Sequence, residues 1–352
     1  MFLKAPIQHR NFERAINQAK TIATHGQAGA VVFVAGPSGA GKSTLKAHLA
    51  NSLYGPSDKW PHNKTLLMSV RATNSEGGYF SSKDFFCRGL TTLGDPFRGN
   101  TGEVAATAIL KGANSDLLQF LSDPLWRSLR VAMTETKIRR AFECLASALG
   151  LKTLFIDEGQ SMCLTHVNRS PSDHLESLKC LAEEIGIQIF IFGTYDLLEI
   201  WNHSSQLNRR THLIHLARYD DTVEGDRDAF FAVLRMLGRA MPLEDFRVFS
   251  EHAEEILRWT YGVFGEVEAL LGRAQIAAFA ESKEFISWDH IRGAAYNPAQ
   301  LRRLADEIAS GEERVEGISK VATSEKSPPK SSGGCRKPGR RNAMRDRCGA
   351  PA

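Results

Sequence analysis

The chain has none of the long apolar stretches that mark membrane or secreted proteins. Its longest apolar runs, such as residues 30–35 and 187–193, have the length of a strand, whereas a membrane-spanning helix needs ~20 apolar residues. Residues 1–14 also lack the apolar segment of a signal peptide. These absences predict a cytoplasmic protein with no membrane partner.

Cysteine and histidine do not occur in the patterns of disulfide frameworks or zinc sites. The six cysteines, at positions 87, 144, 163, 180, 335 and 348, include no CxxC pair, which is typical of reduced thiols. Among the eleven histidines there is no HExxH motif, and the alternating segment HLIHL places His212 and His215 on opposite faces of a strand. The sequence therefore indicates no site built from cysteine or histidine ligands.

The net charge of +4 is unevenly distributed. Residues 320–352 contain nine basic and two acidic side chains, a charge of +7, so the remainder carries −3. This segment is rich in Ser, Pro and Gly and has few large apolar residues, a composition that predicts disorder. Both a solvated terminus and a flexible arm that contacts nucleic-acid phosphates or a partner protein are consistent with it.

Two kinds of hydrophobic pattern divide the rest of the 352 residues. From about residue 30 to 217, short β-branched runs alternate with segments of helical period, which is typical of βαβ units with a parallel sheet. From about 223 to 308, apolar residues recur only at helical spacing. We predict an N-terminal helical segment (1–28), an α/β domain (29–220), a small all-helical domain (221–308) and a disordered basic tail (309–352).

The segment GPSGAGKS, residues 36–43, matches GxxxxGK[ST] between a strand-like run and a helical segment. In such a loop, glycines let backbone N–H groups turn toward phosphates, Lys42 reaches the β- and γ-phosphates, and Ser43 binds Mg²⁺. The predicted ligands are therefore ATP and Mg²⁺. The predicted nucleotide-binding residues are Gly36, Pro37, Ser38, Gly39, Ala40, Gly41, Lys42, Ser43 and Thr44.

Two acidic residues follow the apolar run TLFI at residues 153–156. An acid at the carboxyl end of a buried strand beside a phosphate loop is the position that holds Mg²⁺, so Asp157 joins Ser43 as a predicted magnesium ligand. The next residue, Glu158, is predicted to orient or deprotonate the attacking water. This pair favours an ATPase over a small-molecule kinase.

Three further polar residues are candidates for catalysis. Thr194 follows the run IQIFIF and is predicted to sense the γ-phosphate, although a helix cap would explain a threonine there equally well. Arg209 and Arg210 precede the next strand-like run. At least one is predicted to stabilise transition-state charge at a neighbouring subunit's γ-phosphate, and the alternative is a solvated pair.

Together these motifs resemble AAA+ ATPases, and more narrowly the TniB/TnsC family of transposition ATPases, over about residues 10–303. The resemblance rests on GPSGAGKST (36–44), LGDP (93–96), IDEGQ (156–160), FGT (192–194), QLNRR (206–210) and GVFG (262–265). It implies an AAA+ domain followed by a helical lid, with ATP bound between the subunits of a ring or filament on double-stranded DNA. It also implies that the oligomer marks a target, recruits or activates a transposase and cooperates with a target-selecting protein or complex.

The lid departs from the AAA+ pattern. Many AAA+ proteins place a sensor arginine there, but Gly265 is followed by Glu266, and Arg273 is the nearest arginine. We therefore assign no lid arginine.

DNA contacts are predicted in the segment after the second strand, where Arg71 and Lys83 could neutralise phosphates and Tyr79 could lie against the sugar backbone. The alternative is an ordinary turn with a packed-back aromatic ring, followed by a serine helix cap. No base-reading motif is present, so DNA binding should be largely independent of sequence. Two other functions stay open: a loader or remodeller in replication or repair, and a scaffold that binds ATP without hydrolysis.

Overall fold

Five short strands form one parallel sheet in the computed structural model, which describes residues 9–61, 63–75, 77–94, 134–166, 170–202, 210–245 and 247–324. The strands are β1 (Val31–Ala35), β2 (Leu67–Arg71), β3 (Thr153–Asp157), β4 (Gln188–Gly193) and β5 (Thr211–His215). Their order in the sheet is β2-β3-β4-β1-β5, and all neighbours are parallel. The predicted α/β fold with a parallel sheet is confirmed.

Helices cover both faces of the sheet, which explains why β1 and β4 are buried along their whole length. Val32 and Val34 of β1 pack in one cluster with two helices, and Val31 and Phe33 pack in a second cluster on the opposite face. The first face carries α1 (Arg10–His25) and α2 (Lys42–Tyr54). The second carries α3 (Ser82–Thr92), α4 (Glu135–Ala148), α5 (Pro171–Ile185) and α6 (Leu198–Asn202).

Helix α1 lies within the predicted N-terminal helical segment, of which residues 1–8 are outside the described part of the chain. The His9 imidazole caps α1 by accepting from the Phe12 N–H. It also lies 2.8 Å from the Tyr219 hydroxyl, and Arg10 forms an ion pair with Asp226. These contacts tie the start of α1 to the junction between the sheet and the C-terminal helices.

The region predicted as a helical domain forms five helices around an apolar core of its own. They are α7 (Asp226–Ala240), α8 (Val248–Glu251), α9 (Ala253–Thr260), α10 (Phe264–Ala280) and α11 (Trp288–Gly293). Phe230, Phe249 and Leu270 are fully buried in that core. None of the described helices is long and apolar enough to span a membrane.

The last helix, α12, runs over Pro298–Ser324, which corrects the prediction that disorder begins at residue 309. Val315 and Ile318, three residues apart on one helical face, pack with Ala35 and Tyr195 at the carboxyl edge of the sheet. Two apolar residues spaced in this way are too few to alter the composition of a polar segment, and composition alone therefore misplaces the boundary. Residues 325–352 lie outside the described residues.

An ion pair between Arg218, which follows β5, and Glu312 also attaches α12 to the sheet. The Arg218 guanidinium, largely buried, donates to Glu312 of α12 at 2.9 Å and to Asp220 at 2.6 Å. Gly311 of α12 lies directly against Tyr195, where a Cβ would be only 2.0 Å from the ring. Helix α12 is therefore docked on the edge of the sheet by apolar, ionic and close backbone contacts.

Two glycines of α12 allow a matched test of this docking. Gly311→Ala should lower the midpoint of thermal unfolding, because overpacking of a tight contact costs about 1–3 kcal/mol. Gly317→Ala, one and a half turns further on, meets nothing within 4 Å and should raise stability by up to about 1 kcal/mol. Equal effects of the two substitutions on the unfolding midpoint would contradict the docked position of α12.

Candidate functional site

The loop between β1 and α2 has the backbone of an anion site. Gly39 and Gly41 have φ of +75° and +89°, in the left-handed region that favours glycine. Gly41 is the N-cap of α2, and no side chain caps the helix, so the first N–H groups of α2 are available to a ligand. A Cβ on Gly41 would meet nothing within 4 Å. This open helix N-terminus is suited to phosphate.

Lys42 lies across this loop. Its Nζ donates to the carbonyl oxygens of Gly36 at 2.9 Å and Pro37 at 2.7 Å. Burial lowers the pKa of Lys42 to about 8, and the negative charges of Glu158, Glu307 and Asp157 oppose that shift. The ammonium is thus positioned by backbone carbonyls and partly desolvated, which strengthens its interaction with an anion.

Asp157 ends β3 and faces α2. Its carboxylate forms an ion pair with Lys46, one turn after Lys42 on α2. Ser43 and Thr44 lie in the first turn of the same helix and are exposed. A hydroxyl and a carboxylate are oxygen ligands of the kind that Mg²⁺ prefers, so Ser43 and Asp157 fit the predicted metal. In the described residues no group of three or more His, Cys, Asp or Glu side chains forms a separate metal site.

Glu158 has φ +56° and ψ +41°, a left-handed conformation that is uncommon for a residue with a side chain. Both of its carboxylate oxygens have partners. Oε1 lies 3.5 Å from Nη2 of Arg71, and Oε2 accepts from Nε2 of Gln160 at 2.6 Å. Glu158 is therefore held by a neighbouring strand on one side and by its own turn on the other.

Thr194 follows β4 at the same edge of the sheet. Its hydroxyl is buried and has no hydrogen-bond partner, and it does not cap the short 3-10 helix Tyr195–Leu197. The cap alternative is therefore not formed. A buried hydroxyl without a partner is costly, and a bound phosphate or water would satisfy it.

Of the two predicted arginines, Arg210 lies in the described part of the chain and Arg209 lies outside it. Arg210 immediately precedes β5, and its guanidinium forms an exposed ion pair with Glu183 at 2.7 Å. Its carbonyl accepts from the Val31 N–H at the start of β1. Arg210 thus lies at the amino edge of the sheet, opposite the phosphate loop.

The residues predicted to contact DNA lie at the end of β2, in the loop that follows it and at the start of α3. Arg71 ends β2, is paired in register with Asp157 and lies beside Glu158. The Tyr79 ring packs against His166, and Lys83 lies in the first turn of α3, which Ser81 caps. The last two placements are those of the turn-and-cap alternative, and DNA contact by these three residues stays a prediction.

The helical domain contacts the phosphate loop through a backbone hydrogen bond. The Gly265 N–H donates to the Gly39 carbonyl at 2.8 Å, and a Cβ on Gly265 would lie 2.2 Å from that oxygen. Next to it, Oε2 of Glu266 is buried without a partner. Arg273 instead donates to the Ala294 carbonyl and lies over the Tyr296 ring, inside the helical domain.

Two contributors to the site carried no predicted role. Lys46 could have been found from its position one turn after Lys42, on the same face of α2. Gln160 lies in the IDEGQ motif, but its contacts with Glu158 and with the end of β4 depend on the fold.

A family model described as AAA domain matches residues 25–201, just over half of the chain. The chain belongs to the AAA domain family. No curated protein matches the chain. Membership in this family, together with the open phosphate loop, assigns nucleotide binding to the site.

Among solved structures, the ADP form of the ORC2 protein from Aeropyrum pernix is similar, with 14% identity over 83% of this chain and 70% of that one and a TM-score of 0.49. A Walker-type ATPase from Pyrococcus abyssi is also similar, with 16% identity over 92% of this chain and 80% of that one and a TM-score of 0.47. Because both scores are below 0.5, they support no conclusion about function.

The lowered pKa of Lys42 predicts a pH-dependent affinity for ADP. Bound phosphate favours the ammonium, so binding raises this pKa from about 8. Affinity should therefore be constant below about pH 8 and fall by up to about tenfold per pH unit above it. Isothermal titration in two buffers of different ionisation enthalpy should show uptake of about one proton per ADP at pH 9.

Lys42→Arg is the matched variant, because its guanidinium stays charged over this range. Its affinity for ADP, whatever the absolute value, should not change between pH 7 and 9.5. An equally flat profile for the unmodified protein would contradict the assignment of Lys42 as the titrating group.

Proposed function

We propose that the protein is an ATP-dependent regulator of DNA transposition, whose ATP-bound form oligomerises on double-stranded DNA and recruits or activates a transposase. Hydrolysis of ATP then drives disassembly. The observation that carries the ATPase part is that Lys42, Asp157, Glu158 and Thr194 all lie at the carboxyl edge of one sheet. The transposition part is supported by the IDEGQ-to-QLNRR arrangement of the motifs.

Each residue has a role in hydrolysis that follows from its contacts. Backbone N–H groups of the loop and the Lys42 ammonium bind the phosphates. Ser43 and Asp157 would hold Mg²⁺, which neutralises charge on the β- and γ-phosphates when bound. In the structure, Lys46 balances the charge of Asp157 through an ion pair. Glu158 orients and deprotonates water, and the Thr194 hydroxyl contacts the γ-phosphate or that water.

A second subunit is needed to complete this site. The described part of the chain offers no arginine in contact with its own phosphate loop, and Arg210 lies at the opposite edge of the sheet. An arginine from a neighbouring subunit, Arg209 or Arg210, would stabilise transition-state charge. This supports a homo-oligomer with ATP at the interface between subunits.

DNA binding in this proposal is electrostatic and largely independent of sequence. Arg71 and Tyr79 are exposed at the carboxyl edge of the sheet and in the loop that follows β2, and residues 326–347 are strongly basic. Contacts of this kind weaken steeply as salt concentration rises. A target-selecting protein or complex would supply the specificity that phosphate contacts lack.

Electron microscopy with duplex DNA tests the switch directly. Rings or filaments should form with ATP and a non-hydrolysable analogue and should be absent with ADP. Glu158→Gln should bind ATP, hydrolyse it at least about a hundredfold more slowly and remain on DNA, whereas Lys42→Ala should lose nucleotide binding and assembly together.

Several results would contradict the proposal. Rapid release of Glu158→Gln from DNA would separate disassembly from hydrolysis. If the unmodified protein hydrolyses ATP no faster than buffer alone, with and without DNA, a scaffold that binds ATP without hydrolysis is favoured. Nucleotide-dependent capture of a helicase or sliding clamp, without capture of a transposase, would favour a loader.

Complementation between inactive variants tests the arginine from a neighbouring subunit. Arg209→Ala or Arg210→Ala should bind ATP normally but lose about a thousandfold in turnover if that residue acts in trans. Mixing it with Lys42→Ala should restore part of the activity, because some interfaces then join an intact phosphate loop to an intact arginine. If neither mixture regains ATPase activity, catalysis between subunits is contradicted.

A further inference from the structure

Gln160 connects two parts of the site that belong to different strands. Its Nε2 donates to Oε2 of Glu158 at 2.6 Å, at the end of β3. Its Oε1 accepts from the backbone N–H of Thr194 at 3.3 Å, at the end of β4. One side chain thus joins the carboxylate proposed to activate water to the segment that presents the Thr194 hydroxyl.

The chemistry of its two partners explains why an amide occupies this position. The Glu158 carboxylate is only an acceptor, and the Thr194 N–H is only a donor. A side chain that bridges them must donate at one atom and accept at another. Glutamine has both functions, and the identity of the partners also determines which way its amide is turned.

The surrounding backbone is shaped to admit this side chain. A Cβ on Gly193 would lie 2.8 Å from Oε1 of Gln160. A Cβ on Gly159 would lie 2.3 Å from Cγ2 of Ile191 in β4. The glycines of the IDEGQ and FGT motifs therefore let the turn after β3 pack directly on β4, which brings Gln160 within reach of both strand ends.

Without Gln160, Glu158 would keep little that holds its carboxylate. Its other ion pair is with Arg71 at 3.5 Å, and both side chains of that pair are exposed, so the contact is weak and screened by salt.

We propose that Gln160 is a positioning residue, which fixes the Glu158 carboxylate and couples its orientation to the end of β4 at Thr194. The proposal rests on the ATP hydrolysis proposed above. It predicts that loss of the Gln160 amide reduces turnover without weakening nucleotide binding, because the hydrogen-bond partners of the amide are Glu158 and the Thr194 backbone, which lie outside the phosphate loop.

The test compares Gln160→Met, which keeps length but removes donor and acceptor, with the unmodified protein. Its kcat should fall about ten- to hundredfold, within the contribution of a positioned general base, and its Kd for ATP should change less than about threefold. Gln160→Glu keeps an acceptor for Thr194 but sets a carboxylate against Glu158, and it should lose at least as much.

Gln188→Met is the matched control. Gln188 is a buried glutamine at the other end of β4, and its Nε2 donates to the carbonyl oxygens of Ile22 and Gly26. This substitution should lower the unfolding midpoint and leave kcat of the folded protein unchanged. Equal loss of kcat in Gln160→Met and Gln188→Met would assign Gln160 a structural role only.

A double-mutant cycle separates positioning from an independent effect. In a Glu158→Gln background, Gln160→Met should cause no further loss of turnover, because no carboxylate remains to be positioned. Multiplicative losses would overturn the proposal, as would a Gln160→Met protein with unchanged kcat. If the unmodified protein turns over no more ATP than Lys42→Ala, the proposed hydrolysis is overturned instead, and with it this role.

Discussion

The parallel register of the sheet is the constraint on which the whole site depends. Ala35 of β1 is paired with Gly193 of β4, and Arg71 of β2 is paired with Asp157 of β3, so four chain segments leave the sheet within one residue of the same level. A slip of one residue would turn each strand's side chains to the opposite face. Because helices cover both faces, such a slip would exchange the side chains that pack in the two apolar clusters, and the hydrophobic core thereby also sets the geometry of the site.

Close contacts between backbone segments bring further parts of the site together. The turn after β3 packs on β4 through Gly159 and Gly193, and the helical domain meets the phosphate loop where Gly265 contacts Gly39. A backbone hydrogen bond therefore joins the helical domain to the phosphate loop, whereas Arg273 contacts Ala294 inside the helical domain. This contact links the position of α10 to the loop that is proposed to hold phosphate.

Local patterns predict the parts of this architecture that local physics determines. Residues 36–43 are recognisable because a tight turn between a strand and a helix requires their glycines, and the run before Asp157 is recognisable because a central parallel strand is apolar throughout. Contacts between distant segments leave no such pattern. The pairing of Arg210 with Glu183, the bridge made by Gln160 and the docking of α12 depend on register and packing, and composition even predicts disorder where α12 is a helix.

The positions of the two halves of the proposed interface restrict how subunits can assemble. The phosphate loop leaves the carboxyl edge of the sheet, whereas Arg210 lies at the amino edge. An arginine that serves a neighbour must therefore reach from the amino edge of one sheet to the carboxyl edge of the next. Where these edges belong to two different surfaces, the interface is heterologous, repeats from subunit to subunit and produces either a closed ring or an open helical filament. A symmetric dimer would instead need both edges within one surface that contacts itself, so that each subunit's arginine meets the phosphate loop of the other.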